Sequence, residues 1–320
     1  MPKLIRVHPA EDPGYRRVRA GRGFRYLDDH GAALPEAERE RIDDLVIPPA
    51  WTDVWISKEA MGHIQVVGTD DAGRRQYIYH PRWTQRRDRG KYARALALAD
   101  SLPRARAKAT TALRREGLGR ERVLATAFRL LDQVAPRVGS AKYFTSHGSR
   151  GLTTLQRRDA VVEASLITLS YPAKSGKRAL LTIEDEDLAT VVTELAIGRP
   201  RSALLSYERG RRRVPLSPSD VNAHVRALTG GSFTAKDFRT LRGTILAAEA
   251  LAQIGVVDTK KDRKRAETLA VQATADGLGN TAAVARNSYI DPRVFDRYRR
   301  GRLLSLDGSR DAAIRALLLD

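Results

Sequence analysis

Tyr289, near the C-terminus, is a side chain that could act as a nucleophile if cations surround it. An isolated phenol has a pKa of about 10, and nearby positive charges lower the free energy of its phenolate. Three cations and one polar donor precede it along the chain, namely Arg137, Lys174, Arg239 and Asn280. Folded together, these five residues would form a cationic pocket around one phosphate group.

Cleavage of a DNA phosphodiester without a metal places three requirements on such a pocket. A nucleophile must lie in line with the leaving oxygen, cations must hold the non-bridging oxygens, and an acid must protonate the leaving 5′-oxygen. The five residues include suitable types for all three tasks. The set is therefore a candidate active site for phosphodiester chemistry.

Each of the five residues also has an ordinary structural interpretation. The two arginines would be surface ion-pair partners, the lysine a turn residue, the tyrosine half-buried packing, and Asn280 a helix cap after Gly277 and Gly279. In one continuous helix, the nine residues from Asn280 to Tyr289 turn through about 900°, so these two side chains would face opposite ways. Sharing a pocket requires a break, which Asn287-Ser288 could supply. From the residues alone, both interpretations stay open.

The overall charge favours a polyanionic partner. The chain of 320 residues has a formal net charge of +19, and 46 of its 57 basic residues are arginine. Arginine makes forked contacts to phosphate, and charge of this size speeds encounter with nucleic acid. Because 42% of the residues are hydrophobic, the chain is not a disordered basic tail. Binding to acidic lipid surfaces is less favoured, since every amphipathic helix has an evident core role.

Other classes of protein are excluded by composition. The chain has no cysteine, which rules out a disulfide framework, a thiol nucleophile and a Cys-ligated zinc site. Its first residues, MPKLIRVHPAEDPGYRR, contain no apolar segment typical of a signal peptide, and no apolar run of about 18 residues predicts a membrane span. We expect a cytoplasmic, nucleoid-associated protein without a metal or cofactor.

The first 80 or so residues are predicted to form mainly strands. The stretches GFRYLDDHG and VWIS are strand-like, and PEAERERIDDLV predicts a short helix. The stretch HIQVVGTDDAGRRQYIYHP predicts a hairpin around the turn residues DDAG. The basic segment PRWTQRRDRGKYAR that follows is interpreted as a linker or DNA-facing segment, with a domain boundary near residue 90.

Beyond this boundary the hydrophobic period changes to about 3.6 residues. Helices are predicted in ARALALADSL, from Arg120 to Val134, and in LRGTILAAEALAQIG, and Asp291-Pro292 is typical of a helix start. One β island, ASLITLSYPAKSGKRALLTIED, predicts two strands around Ser175-Gly176. The predicted fold is α+β: a strand-rich N-terminal domain, residues 1–90, and a mainly helical C-terminal domain with an embedded sheet, residues 91–320.

Several segments, in this order, resemble the small type IB DNA topoisomerases of bacteria and poxviruses. The C-terminal half contributes RVGSAKYFTSHGSRGLTTL, KDFRTLRG and GNTAAVARNSYIDP. The N-terminal half contributes IPPAWTDVWIS and VGTDDAGRRQYIYHPRW, which are similar to that family's N-terminal domain. The resemblance covers nearly the whole chain. It implies relaxation of supercoiled duplex DNA by transient cleavage of one strand, swivelling and religation, without ATP or metal.

The resemblance also implies a role for each site residue. Tyr289 would form a 3′-phosphotyrosine link, and Arg137 and Arg239 would clamp the non-bridging oxygens. Lys174 would be the general acid for the 5′-oxygen, and Asn280 would donate a hydrogen bond to the phosphate. Many members of the family carry His where this chain has Asn280. Because Asn is neutral at every pH and no His follows His224, histidine acid catalysis is disfavoured.

The N-terminal half is expected to help bind DNA as part of a clamp. Gln76, Tyr77 and Tyr79 match positions that the family uses to touch DNA, and Arg74 and Arg75 lie in the same stretch. On a strand, the two tyrosines share one face and Gln76 lies on the other, so one of these faces could be core instead. Double-stranded DNA is the expected partner of a monomer that needs no other protein, with mainly phosphate contacts.

Two other functions stay open at this point. A tyrosine site-specific recombinase would use a similar pocket, but such enzymes typically show His-x-x-Arg where this chain has Lys236-Asp237-Phe238-Arg239. A non-catalytic DNA-binding protein could keep the same fold, although it would not need the complete set of site residues.

Overall fold

The computed structural model describes residues 3–319, apart from the side chains of Lys142, Tyr143 and Ser175. It consists of two compact units, which divide between Gly90 and Lys91. The first is strand-rich and the second is mainly helical with small sheets, so the predicted α+β fold class is confirmed.

The first unit is built on one antiparallel sheet of five strands in the order β2-β1-β3-β4-β5. One face of the sheet is apolar, and Ile56, Val66 and Ile78 pack there with Ile42 of a short helix. Successive side chains along a strand point to opposite faces, and in β4 both faces are covered, since Gln65 and Val67 are buried as well. The elements are β1 (Gly14–Ala20), β2 (Gly23–Leu27), α1 (Glu36–Asp43), β3 (Thr52–Ser57), β4 (Ile64–Thr69) and β5 (Arg75–Tyr79).

The hairpin predicted around DDAG is confirmed, and its turn is held by one side chain. The carboxylate of Asp70 accepts hydrogen bonds from the backbone N–H groups of Ala72 and Arg74, both at 3.0 Å. Gly73 has φ +69°, a left-handed conformation that glycine adopts without strain. The turn fixes the register of β4 and β5, in which Val67 faces Tyr77.

The second unit packs its helices and two small sheets around one large apolar core. A three-stranded antiparallel sheet has the order β6-β7-β8, and β9 and β10 form a separate hairpin. The elements are α2 (Pro81–Leu113), whose residues 81–90 belong to the first unit, α3 (Arg120–Val134), α4 (Ala141–His147), β6 (Ala160–Glu163), β7 (Leu166–Pro172), β8 (Arg178–Glu184), α5 (Glu186–Ala196), β9 (Ser206–Arg209), β10 (Arg212–Pro215), α6 (Pro218–Thr229), α7 (Ala235–Ile254), α8 (Lys260–Leu278), α9 (Ala282–Ser288), α10 (Arg293–Arg299) and α11 (Arg310–Leu319).

One prediction about this region was wrong. Residues 81–94, interpreted as a linker or DNA-facing segment, are helical and form the start of α2, so the linker interpretation was wrong and the DNA-facing one stays a prediction. Pro81 fits the first helical turn, and the imidazole Nδ1 of His80 accepts a hydrogen bond from the backbone N–H of Arg82 at 3.1 Å. Arginine, glutamine and lysine also favour a helix, so basic composition alone did not indicate an irregular chain.

Buried ion pairs join the helices of the second unit. Arg106 of α2 donates to Asp132 of α3 at 2.7 Å and also pairs with Asp311 of α11. Arg122 of α3, which is 6% exposed, pairs with Glu194 of α5 at 2.6 Å. These helices are therefore fixed relative to one another by charge-assisted hydrogen bonds as well as by apolar packing.

Candidate active site

Arg239 is held deep in the second unit by the start of α7. A capping box of Thr234 and Asp237 begins this helix, in the segment KDFRTLRG. Arg239 is 5% exposed, and its two Nη atoms donate to the carbonyl oxygens of Ala135 at 2.7 Å and Leu278 at 2.8 Å. These carbonyls lie at the C-terminal ends of α3 and α8, so one guanidinium joins three helices.

Arg137 follows directly on the end of α3. Ala135 ends that helix in a left-handed conformation, with φ 44° and ψ 52°, and Pro136 prevents its continuation. The carbonyl of Arg137 then accepts a hydrogen bond from the N–H of Leu152 at 2.8 Å. The half-buried side chain turns inward, and its Nη2 donates to the Oδ1 of Asn280.

Gly139 and Gly151 allow the backbone that follows Arg137 to lie close to the backbone at residue 151. A Cβ added to Gly151 would come within 2.5 Å of the carbonyl oxygen of Arg137 and 2.7 Å of the Cα of Gly139. Gly139 itself has φ +81°. Only residues without a side chain allow this approach, and the approach fixes where Arg137 leaves the backbone.

Lys174 lies in the connection between β7 and β8, as the hairpin pattern predicted. Residues Lys174–Gly176 form one 3-10 turn, closed by a hydrogen bond from the N–H of Ala173 to the carbonyl of Lys177 at 2.7 Å. Lys174 is exposed. The sheet also contains a third strand, β6, that the sequence analysis missed.

Tyr289 ends α9 and packs against α7. A Cβ at Gly243 would come within 2.9 Å of the Cβ of Tyr289, and the hydroxyl of Thr244 is 3.2 Å from the Tyr289 carbonyl oxygen. The side chain of Asp291 accepts a hydrogen bond from the N–H of Arg293 at 3.0 Å, as expected at the start of α10. The phenol ring is half-buried, and Cζ of Arg239 lies 5.0 Å from its centroid.

The structure brings four of the five predicted residues to one cavity. A space of about 360 Å³, which we call the tyrosine cavity, is lined by Arg137, Lys174, Arg239 and Tyr289. Burial alone would raise the pKa of Tyr289, but the charges of Arg239, Arg137 and Lys236 outweigh it and lower the pKa below its ordinary value. This arrangement stabilises a phenolate that faces cations.

Asn280, the fifth residue, does not line the tyrosine cavity but contacts it through Arg137. Its interpretation as a cap was wrong, because Gly279 ends α8 and the side chain of Thr281 caps α9. The helix break that Tyr289 requires therefore lies at Asn280 itself. Asn280 is 6% exposed, and its Nδ2 has no hydrogen-bond partner among the described residues.

Three further residues at this site were missed by the sequence analysis. Lys236 and Arg150 line the tyrosine cavity, and Nζ of Lys177 lies 3.4 Å from the carbonyl oxygen of Asn280. Lys236 stands three residues before Arg239 on the same helix, so helical spacing could have indicated it. Arg150 had no sequence signal, because it reaches the cavity from a loop.

The predicted N-terminal DNA contacts lie on β5 and its turn. Tyr77 is 42% exposed, and its ring stacks on that of Tyr79 at a centroid distance of 5.9 Å. The guanidinium of Arg87 lies 5.1 Å from the Tyr79 ring centroid. Gln76 lies on the other face of the strand, and its amide donates to Asp70 at 2.8 Å. Arg74 and Arg75 are exposed.

The described residues contain neither a cluster of metal ligands nor a membrane-spanning helix. Within residues 3–319, no group of three or more His, Cys, Asp and Glu side chains is placed to hold a metal ion. None of the helices there is long and apolar enough to cross a membrane.

Comparison with known proteins agrees with this fold. The family described as eukaryotic DNA topoisomerase I, catalytic core, matches residues 80–300, and the bacterial DNA topoisomerase IB N-terminal domain matches residues 23–70. The chain is also 28% identical over 315 residues to the DNA topoisomerase 1B of Acanthamoeba polyphaga mimivirus. The aligned region covers 95% of this chain and 93% of the viral protein.

The chain belongs to the type IB DNA topoisomerase family. It is an isomerase that acts on DNA. The predicted resemblance is confirmed.

Proposed function

We propose that the enzyme relaxes supercoiled duplex DNA through a covalent tyrosine intermediate. The Oη of Tyr289 attacks the phosphorus of one strand and its phenolic proton passes to solvent. The bond from phosphorus to the 5′-oxygen breaks as the Lys174 ammonium gives that oxygen a proton, which leaves a 3′-phosphotyrosine, a 5′-hydroxyl and a neutral Lys174 that takes the proton back on religation. The free strand swivels, and the 5′-hydroxyl then attacks the phosphotyrosine to restore both the DNA and Tyr289.

The observation that carries this proposal is the position of the Tyr289 phenol beneath Arg239 in a cavity that Arg137 and Lys174 also line. Arg137 and Arg239 hold the non-bridging oxygens as charge shifts on phosphorus. Fixed cations of this kind stabilise a transition state without reorganisation. The phosphotyrosine bond conserves the energy of the phosphodiester, so the cycle balances without ATP or a metal.

Asn280 is proposed to donate its Nδ2 to a non-bridging phosphate oxygen. Its Oδ1 accepts from Arg137, which fixes the amide orientation because Arg137 can only donate. The Nδ2 is then a buried donor without a partner, a feature that native structures rarely keep unless something binds there.

The N-terminal unit is proposed to bind the same duplex, so that the two units form a clamp around DNA as a monomer. Support comes from the stacked tyrosine pair, of which Tyr77 is exposed, and from the exposed Arg74 and Arg75 beside it, with Gln76 on the opposite strand face. These cationic and aromatic side chains suit phosphate and base contacts.

The direct test of the function is relaxation of a supercoiled plasmid in chelator without ATP. We expect full relaxation by the monomeric protein on a plasmid that has no paired recognition sites. Strict dependence on two specific sites and on a multimer would instead identify a recombinase.

Lys174→Ala should slow strand cleavage by roughly 10²- to 10⁴-fold, because the 5′-oxygen loses its acid. A bridging sulfur in place of that oxygen leaves without protonation, so it should restore most of the rate. Single-turnover cleavage of matched oxygen and sulfur substrates measures both effects. Lys177→Ala, on the same turn, is the control and should gain no such rescue. Failure of sulfur to rescue Lys174→Ala would remove Lys174 from the acid role.

Asn280→Leu should reduce the cleavage rate roughly 10- to 100-fold, since a buried donor to a charged phosphate is lost. Asn280→Asp should reduce it further, because a carboxylate there would pair with Arg137 and repel phosphate. Rapid-quench cleavage assays on the purified variants measure these rates. Wild-type rates in Asn280→Asp would contradict a phosphate contact at this position.

A further inference from the structure

Arg150 is a buried cation beside the active site that none of the steps above uses. It is 9% exposed and lies in the loop between α4 and β6. Charged side chains are rarely buried to this degree unless they are paired, so its environment requires an explanation.

The loop of Arg150 is joined rigidly to both neighbouring parts of the site. Its backbone N–H donates to the carbonyl of Pro172 at 2.8 Å, and the hydroxyl of Ser149 lies 3.3 Å from the carbonyl oxygen of Ala173. Both acceptors directly precede Lys174. The next residue, Gly151, makes the close backbone contact with Arg137 described above. Arg150 is therefore held at a fixed place relative to these two cations.

The charge of Arg150 is only partly balanced. Its Nη1 donates to the amide oxygen of Gln156, and its Nε lies 3.3 Å from the carboxylate of Asp159. That Nε is buried and makes no aligned hydrogen bond among the described residues. Burial lowers the pKa of Arg150, and although Asp159 opposes this, Arg158 and Arg178 lower it further. Asp159 is thus one carboxylate among three guanidiniums, so this cluster carries net positive charge.

Arg150 also faces two adjoining spaces. It lines the tyrosine cavity and a second cavity of about 230 Å³, which Tyr171 and Lys177 also line. Arg137 and Arg239 line both spaces as well. The three arginines therefore line both the tyrosine cavity and its neighbour.

We infer that Arg150 is a third guanidinium of the phosphate site and contacts a non-bridging oxygen of the DNA strand bound at Tyr289. This inference rests on the proposed function for the identity of the anion. A phosphodiester supplies the negative charge that Asp159 supplies only in part. The alternative is a purely structural role, in which Arg150 serves only to hold Asp159 and Gln156.

The test is a double-mutant cycle between Arg150 and single phosphates of the DNA. Noncovalent binding is measured in the Tyr289→Phe background, with duplexes that carry one neutral methylphosphonate at, or one step from, the cleavage position. On all-phosphate DNA, Arg150→Met should weaken binding roughly 10- to 100-fold, and Arg150→Lys should restore part of the loss. At the contacted linkage, the methylphosphonate should reduce the effect of Arg150→Met to about twofold or less.

A matched control is available in the same loop. Arg158 donates to the same Gln156 oxygen at 2.9 Å but is exposed and lines neither cavity. Arg158→Met should change binding by less than about threefold at 0.1 M salt, with no dependence on any one linkage. Asp159→Asn keeps the cation and should retain most of the affinity.

Two results would overturn the inference. The first is an Arg150→Met effect that is equal on every linkage, and the second is an Asp159→Asn variant that binds as poorly as Arg150→Met. Because the cycle uses binding alone, it decides on Arg150 even if no covalent adduct forms. Absence of the adduct in the protein with Tyr289 intact would be the separate failure of the proposed function.

Discussion

Tyr289→Phe should abolish relaxation and covalent trapping while leaving DNA binding nearly unchanged. The substitution removes one oxygen atom, and loss of a nucleophile typically costs on the order of 10⁴- to 10⁶-fold in rate. The packing of the Tyr289 Cβ against Gly243 and the contact of its ring with Arg239 persist, so the site should keep its shape. Plasmid relaxation, denaturing-gel detection of the adduct and equilibrium DNA binding measure the three quantities.

Tyr298→Phe is the matched control for this change. Tyr298 is 2% exposed, and its hydroxyl donates to the carbonyl of Gly255 at 2.9 Å, away from the tyrosine cavity. Its loss should lower the free energy of unfolding by about 1 kcal/mol and leave relaxation intact. If Tyr289→Phe still relaxes DNA, the covalent mechanism proposed above is wrong.

Arg239→Ala should slow cleavage and religation together, by roughly 10²- to 10³-fold each. The two reactions pass through the same charged transition state, so their ratio should stay near the wild-type value. The variant should also unfold at a lower temperature, because the carbonyls of Ala135 and Leu278 lose their donors. Forward and reverse single-turnover rates, together with thermal melting, separate these effects.

Arg122→Ala tests whether reduced stability alone explains the slower cleavage and religation expected of Arg239→Ala. Arg122 is also buried and donates to a helix-end carbonyl, that of Leu113, at 2.8 Å. The substitution should therefore lower the melting temperature without changing the cleavage and religation rates of the folded enzyme. Near-normal cleavage by Arg239→Ala, measured on folded protein, would remove Arg239 from the phosphate site.

Local sequence rules were enough to predict many of the elements. The helix from Arg120 to Val134 was predicted with both ends correct, because its apolar residues recur at helical spacing. The hairpin at DDAG followed from turn chemistry in the same way. Each of these signals depends on residues within one element, which is the range over which sequence patterns are informative.

The assembly of the site depends on contacts that no local pattern contains. Arg137 and Asn280 are 143 residues apart, and the cap interpretation of Asn280 failed because its oxygen bonds to a side chain rather than to the next helix. Arg150 was missed for the same reason. Family resemblance supplied the catalytic set, but the contacts of Asn280 and Arg150 required the structure.

On the proposed mechanism, the bonds of Arg239 to two helix ends make strand cleavage conditional on folding. The guanidinium of Arg239 is held beside the Tyr289 ring by its hydrogen bonds to the carbonyl oxygens of Ala135 and Leu278. Those carbonyls reach their positions only when α3 and α8 have packed into the folded unit. A nascent or damaged copy in which either helix has come loose would lack the cation that the phenol needs. Such a copy would be inert toward the genome, since it would lose strand breakage and resealing in the same event.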